Sequence, residues 1–166
     1  MGKKDVLSVK LRLLCVGKLT GKFLRQGAEE FAGRVGRYLP LTEIELKEEK
    51  GGGKKADPDF IRDREAERIL ARIPQQAFVI ALDEKGKGLS SEELAAELEN
   101  HMIRGTSELV FIIGGAYGLS PSVKQRSHLL LSLSAMTFTH QMARLFLLEQ
   151  VYRAFTIIRN EPYHNR

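Results

Sequence analysis

The glycine-rich stretch from Gly114 to Gly118 is the part of the chain best suited to bind a small molecule. It reads Gly-Gly-Ala-Tyr-Gly and directly follows five apolar residues that end at Ile113. Glycine lacks a Cβ atom, so its backbone reaches positive φ angles and lets another molecule approach closely. Ligands of open α/β sheets bind at the carboxyl ends of strands. We therefore predict a ligand-binding turn here, and the alternative is a tight turn that needs glycine for its geometry alone.

The C-terminal tail carries side chains that suit RNA. Tyr163, His164 and Arg166 bring an aromatic ring, an imidazole and a guanidinium to one short segment. Such groups can stack on a base and hold a phosphate. Upstream, Arg153 follows Glu149 by four residues, a spacing that an ion pair on one helix face explains by itself.

Other common binding motifs are absent from the sequence. The glycines at 86–88 and at 114–118 match neither a dinucleotide fingerprint nor a P-loop, which disfavours an NAD-dependent oxidoreductase. The single cysteine, Cys15, excludes an internal disulfide and a cysteine-cluster metal site, and we expect it in the core. The four histidines are scattered without an H-x-x-x-H pair, so we predict no metal site.

The periodicity of apolar residues predicts the elements that position these side chains. The predicted strands are Lys10–Val16, Thr42–Leu46, Phe78–Leu82, Leu109–Ile113 and an apolar run that ends with Leu133–Phe138, which forms the last strand and its loop. The predicted helices are Lys22–Tyr38, Asp57–Arg72, the segment capped by Ser90 and ending near Gly105, a short one opened by Ser120-Pro121, and Thr139–Ile158. We expect Phe23 and Phe60 on the inward faces of the first two helices, and the charged residues of the second helix on its solvated face. Strands and helices alternate, so the fold class is α/β, with a mostly parallel five-stranded sheet flanked by helices.

The segment Lys47–Lys55 contains no apolar residue and three adjacent glycines, which is typical of a loop. It is either a solvated linker or a basic flap whose Lys50, Lys54 and Lys55 reach phosphates. The formal net charge of +5 points weakly to the same kind of partner. The last helix has a broad apolar surface, which suggests a homodimer interface as well as a core.

No apolar run approaches the roughly 20 residues that span a bilayer. The N-terminus has no apolar region of signal-peptide length, so we expect a cytoplasmic protein without a membrane partner. The length suits one domain, which we place at residues 10–166 after a short extension at residues 1–9.

Four motifs stand out in the second half of the chain: Ile113–Ser120, Leu131–Arg144, Glu149–Ala154 and Pro162–His164. Together and in this order they resemble the signature of the ribosomal large-subunit methyltransferase H family, which belongs to the SPOUT superfamily. The resemblance covers the chain from Lys10 to its C-terminus. It implies an α/β fold whose C-terminal part is threaded into a trefoil knot, and it implies a homodimer.

The activity implied by this resemblance is methyl transfer from S-adenosylmethionine to N3 of a pseudouridine. The target would be position 1915 in helix 69 of 23S rRNA, within the assembled 70S ribosome. The alternative is a non-catalytic ribosome-binding module that retains a cofactor pocket.

The resemblance also implies site residues. The cofactor pocket would comprise Leu82, Gly114, Leu133, Ser134, Ala135, Met136, Thr137 and Phe138. Arg153 is the candidate cation that favours the base anion, and His140 and His164 are candidate proton acceptors. Tyr163 is the candidate for stacking on the base.

Overall fold

Five strands and five helices alternate along the chain. The computed structural model describes residues 9–51 and 55–165. The strands are β1 (Lys10–Val16), β2 (Leu41–Leu46), β3 (Phe78–Gly88), β4 (Glu108–Ile113) and β5 (Leu129–Ser132). The helices are α1 (Lys22–Gly36), α2 (Pro58–Leu70), α3 (Ser91–Arg104), α4 (Pro121–Arg126) and α5 (His140–Ile158). None of the helices in this described part is long and apolar enough to cross a membrane.

The strands form one sheet in the order β2-β1-β4-β3-β5, and all neighbouring pairs are parallel. The predicted α/β fold with a parallel five-stranded sheet is therefore confirmed. In the middle of the sheet, Leu11 and Leu13 face a core shared with α1, α3 and α5. Leu14 and Val16 face the opposite core, which α2 and α4 cover. Helices on both faces explain why the central strands are almost wholly apolar.

The helices begin at the predicted caps. Ser90 Oγ accepts a hydrogen bond from the Glu93 N–H at 3.0 Å, and the Glu93 carboxylate accepts one from the Ser90 N–H at 2.7 Å, which confirms the capping box. Asp57 and Ser120 cap α2 and α4, each before a proline in the first turn. Thr139 caps α5 through the Met142 N–H.

β3 is longer than the sequence predicted. Asp83–Gly88, which we expected to follow the strand, continues it after a register shift between Leu82 and Lys87 in the pairing with β5. Gly86 passes so close to β5 that a Cβ there would lie 2.5 Å from the Leu130 carbonyl oxygen. The second half of β3 is a strand because its backbone pairs with β5, and not because its sequence has an apolar pattern.

Two aromatic residues predicted on inward helix faces are exposed. Phe23 and Phe60 are 68% and 40% exposed, so these two predictions were wrong. Successive residues on a helix point about 100° apart, so a residue next to the centre of the buried face can point to solvent. Leu24 and Ile61 lie nearer that centre and are buried.

The loop after β2 is fixed at its base. Arg68 of α2 donates to the Lys47 carbonyl oxygen at 2.7 Å and to the Glu49 carboxylate at 2.5 Å. The hydrogen bond from Arg68 lowers the pKa of Glu49 below its ordinary value. Outside the described residues lie Lys54 of this loop, Arg166 of the tail and the predicted extension up to Ser8.

Candidate active site

A cavity of about 1320 Å³ opens beside the glycine-rich turn after β4. Its other walls come from the middle of β3, the loop after β5, the start of α5 and one face of α2. Most of the predicted cofactor residues line this cavity: Leu82, Gly114, Leu133, Ser134, Met136, Thr137 and Phe138. Ala135 lies in the same loop but is not part of the cavity wall.

The glycine-rich turn is closely packed at its first residue. A Cβ on Gly114 would lie 2.8 Å from Leu119 Cδ2 and 3.1 Å from the carbonyl carbon and oxygen of Gly118. The Gly118 N–H donates to the Gly115 carbonyl oxygen at 3.1 Å, which closes a tight turn. Gly118 itself has φ +78°, a left-handed conformation that glycine adopts without strain. The turn therefore needs glycine at both ends, and its backbone forms one wall of the cavity.

A buried carboxylate lies behind this turn. Glu65 of α2 is 4% exposed, and its two carboxylate oxygens lie 3.0 and 3.2 Å from where a Cβ of Gly115 would be. Glu65 Oε2 accepts from the Glu49 N–H at 3.2 Å. Glu65 Oε1 has no hydrogen-bond partner among the residues that the structure describes. Burial raises the pKa of this carboxyl group above its ordinary value.

The segment Leu133–Phe138 is a loop throughout, and not partly a strand as predicted. The Ser132 hydroxyl donates to the Ser134 carbonyl oxygen at 2.9 Å, and the Met136 N–H donates to the Ser134 hydroxyl at 3.0 Å. The Thr137 hydroxyl donates to the Glu84 carboxylate at 2.7 Å, which ties the loop to β3. Local hydrogen bonds thus shape this wall and leave its apolar side chains exposed to the cavity.

The charges around the cavity nearly balance. Among the described residues, its lining holds four carboxylates and three cationic side chains: Asp59, Asp63, Asp83 and Glu84, and Arg62, Lys85 and Lys124. Burial works to raise the pKa of Asp83, but the Lys85 N–H and the Lys124 ammonium at 3.0 Å outweigh it, so the pKa is lowered. Within residues 9–51 and 55–165, no group of three or more His, Cys, Asp or Glu is placed to hold a metal ion.

His140 is the candidate proton acceptor that lies in the cavity wall. It is the first residue of α5, and its side chain is 22% exposed. Its Nε2 atom lies 3.4 Å from a carboxylate oxygen of Glu48, in the base of the loop after β2. The carboxylate is close enough to favour one orientation of the imidazole beside the cavity.

The remaining candidates form a separate cluster. Arg153 and Tyr163 both donate to the Glu149 carboxylate, at 2.6 and 2.9 Å, and the Arg153 guanidinium lies 4.7 Å from the centre of the Tyr163 ring. His164 contacts Arg153 through Nδ1 at 3.1 Å and the Glu92 carboxylate through Nε2 at 2.9 Å. Burial and the bond to Glu149 raise the pKa of Tyr163.

None of Arg153, Tyr163 and His164 is among the described residues that line the cavity. Arg153 follows His140 by thirteen residues on α5, which corresponds to about 20 Å along the helix axis. A single chain therefore does not bring the tail residues and His140 to the same place.

A family model described as "Predicted SPOUT methyltransferase" matches residues 9–164. The chain belongs to the SPOUT methyltransferase family. A protein named Ribosomal RNA large subunit methyltransferase H, from Syntrophotalea carbinolica, is 61% identical over 95% of this chain and 100% of the relative. A protein of the same name from Geotalea daltonii is 49% identical, also over 95% of this chain and 100% of the relative. The resemblance inferred from the four sequence motifs is thereby confirmed.

Solved structures share the SPOUT fold at low sequence identity. A putative methylase family protein from Neisseria gonorrhoeae has a TM-score of 0.52 and 13% identity, covering 100% of this chain and 90% of that chain. A putative methyltransferase from Legionella pneumophila, in complex with the bound cofactor SAM, has a TM-score of 0.50 and 12% identity. The match covers 89% of this chain and 67% of that chain. These likenesses concern the fold alone, and the trefoil knot stays an expectation from the family.

Two residues around the site of this SPOUT chain were missed by sequence reasoning. Glu65 was counted with the solvated charges of α2, yet it lies four residues after Ile61 and four before Ile69, on the buried face. That spacing was the available signal. Tyr117 was recognised only as part of the glycine-rich turn, and its ring is 43% exposed in the cavity wall.

Proposed function

We propose that this protein is an S-adenosylmethionine-dependent methyltransferase that methylates N3 of pseudouridine 1915 in helix 69 of 23S rRNA. Its substrate would be the assembled 70S ribosome. The observation that carries the proposal is the likeness, at 61% identity over the full length of the relative, to a protein named Ribosomal RNA large subunit methyltransferase H. A cavity at the strand ends, with a glycine-rich turn in its wall, supports it independently.

The cavity has room for S-adenosylmethionine and a lining that suits its charge. Pockets for a single drug-sized ligand measure about 300–1,000 Å³, and this cavity of about 1320 Å³ exceeds that range. The turn at Gly114 and the loop Leu133–Phe138 offer backbone N–H and C=O groups with apolar side chains beside them. The excess of one carboxylate in the lining suits a cationic sulfonium better than an anionic dinucleotide.

The proposed reaction assigns a task to each candidate residue. When bound, S-adenosylmethionine supplies an electrophilic methyl group. The N3–H of the base lies between two carbonyl groups and is weakly acidic, so its anion is the nucleophile. Arg153 would stabilise this anion, His140 or His164 would accept the proton, and Tyr163 would stack on the base. Since the nitrogen must lie in line with the methyl carbon, positioning by the protein should supply much of the rate.

We propose a homodimer because His140 and Arg153 lie far apart within one chain. His140 lies at the cavity, whereas Arg153 lies about 20 Å further along α5. A second copy would bring its own tail cluster to this cavity. Exposed apolar rings favour such a partner: Phe138, in the cavity wall, and Phe146, which packs against it, are each 37% exposed, with ring centroids 4.9 Å apart.

The test is methyl transfer from labelled S-adenosylmethionine to 70S ribosomes that lack the modification. Isolated 50S subunits and free 23S rRNA serve as parallel substrates. We expect label only with 70S ribosomes, at N3 of the pseudouridine. Cofactor binding without label on any substrate would favour the non-catalytic ribosome-binding module, and binding of NAD in place of S-adenosylmethionine would favour an oxidoreductase.

A further inference from the structure

An exposed aromatic ring lies in the wall of the cavity. Tyr117 is 43% exposed and follows Ala116 in the tight turn closed by Gly115 and Gly118. Within the part of the chain that the structure describes, no group forms a hydrogen bond with the Tyr117 hydroxyl and no aromatic ring packs against its ring. The ring and the hydroxyl of Tyr117 are therefore available to a ligand.

The backbone that carries this ring is held in place. The Arg62 guanidinium donates to the Tyr117 carbonyl oxygen at 3.1 Å, and its other terminal nitrogen binds the Asp59 carboxylate. Arg62 and Asp59 both belong to α2 and line the cavity. The backbone of the turn is thus tied to a helix at Tyr117, so little backbone order has to be gained there when a ligand binds.

The charges beside Tyr117 favour a flat neutral ligand over a phosphate. Arg62 is already paired with Asp59, and Lys124 is paired with Asp83 at 3.0 Å. These two cations are therefore partly neutralised before any ligand arrives. A nucleobase presents an uncharged aromatic face, and stacking on a tyrosine is how proteins commonly hold unpaired bases.

Most of the predicted cofactor residues lie on other walls of the cavity, and only Gly114 shares the turn with Tyr117. The predicted cofactor residues lie in β3, at the first glycine of the turn and in the loop after β5, and none of them is in α2. Tyr117 is bonded to Arg62 of α2, so its backbone lies on the α2 side. The cavity volume of about 1320 Å³ leaves room there for a second ligand.

We propose that Tyr117 is the platform on which a base of the RNA substrate stacks beside the methyl donor. This inference rests on the proposed function, because it takes RNA as the substrate. It assigns stacking to a ring in the cavity wall of each chain, in addition to the stacking proposed for Tyr163, which lies in the separate tail cluster.

The first experiment compares Tyr117→Ala and Tyr117→Phe with the wild type in single-turnover methylation of 70S ribosomes. Loss of one base–aromatic stack should lower kcat/KM by about 5- to 150-fold in Tyr117→Ala, whereas Tyr117→Phe should keep most of the activity. Phe60→Ala is the matched control, because Phe60 is 40% exposed on α2 and lies outside the cavity lining. Calorimetry should give the same affinity for S-adenosylmethionine in all four proteins.

Two results of this experiment would overturn the proposal. One is a Tyr117→Ala variant whose kcat/KM for ribosome methylation equals that of the Phe60→Ala control. The other is a loss of S-adenosylmethionine affinity as large as the loss of activity, which would place Tyr117 in the cofactor wall.

A second measurement does not depend on methylation. The chain has no tryptophan, so Tyr117→Trp and Phe60→Trp each introduce a single fluorophore. Unmodified 70S ribosomes should quench the tryptophan at position 117 and leave the one at position 60 unchanged, with the tryptophan-free wild type plus ribosomes as the blank. Quenching without any methyl transfer by the wild type would retain the stacking role and refute the proposed reaction, and methyl transfer to 70S ribosomes without quenching at position 117 would overturn the stacking role.

Discussion

Replacing Gly114 with alanine probes the wall of the cavity where the structure is tightest. The added methyl group would lie 2.8 Å from Leu119 Cδ2 and 3.1 Å from the carbonyl carbon and oxygen of Gly118. The leucine side chain can rotate away. The Gly118 backbone cannot do so, because it closes the turn through its bond to Gly115.

The magnitude follows from that backbone contact. Ordinary contacts of a Cβ begin near 3.4 Å, so a contact at 3.1 Å requires the turn to open by about 0.3 Å. Overpacking of this kind costs about 1–3 kcal/mol. If S-adenosylmethionine binds the undistorted turn, its dissociation constant should rise by about 5- to 150-fold in Gly114→Ala.

Calorimetric titration with S-adenosylmethionine measures this change, with thermal melting to confirm that the variant is folded. Gly33→Ala is the control, since no atom lies within 4 Å of its added Cβ. That substitution should stabilise α1 by roughly 0.5–1 kcal/mol and leave cofactor affinity unchanged. A folded Gly114→Ala variant that binds as tightly as the wild type would refute the assignment of this turn to the cofactor.

Three further changes test other parts of the molecule. Ser90→Ala removes the acceptor for the Glu93 N–H. It should lower the free energy of unfolding by about 1 kcal/mol and the melting temperature by about 2–4 °C. An unchanged melting curve would show that the cap contributes nothing to stability. Burial raises the pKa of Glu65, so the unfolded chain releases this proton at lower pH, and the contribution of Glu65 to stability falls as pH rises above about 4.5. Glu65→Gln should therefore raise the melting temperature at pH 7 but not near pH 4, and an equal gain at both values would contradict this cause. Arg153→Ala should abolish methyl transfer in a methylation assay and leave the affinity for S-adenosylmethionine, measured by calorimetry, nearly intact. Equal losses of activity and affinity would indicate a structural role for Arg153.

Local patterns predicted the elements that bury apolar side chains. β4 was predicted from its uninterrupted apolar run, and α3 from its capping box. The second half of β3 could not be predicted, because Asp83–Gly88 is polar and contains two glycines. Its strand conformation comes from pairing with β5, a contact between distant parts of the chain that no local pattern encodes.

The part of the site formed by residues of a sequence motif could be predicted. Seven of the eight residues proposed for the cofactor line one cavity, although their contact with S-adenosylmethionine stays a prediction. The separation of Arg153 from His140 could have been foreseen, since thirteen residues of one helix extend about 20 Å. The exposed ring of Tyr117 could not, because its place in the cavity wall depends on how the turn packs in the folded protein.

The cavity wall includes a contact between the beginning and the end of the chain. The Thr20 N–H donates to Gln141 Oε1 at 2.9 Å, across 121 positions of sequence, and α1 packs along α5. A nascent chain that leaves the ribosome N-terminus first cannot make these contacts until α5 has emerged. Contacts between such distant residues also form slowly. We therefore expect a newly synthesised molecule to acquire its cofactor site late and in one step, and a chain that is interrupted before α5 to have no such site at all.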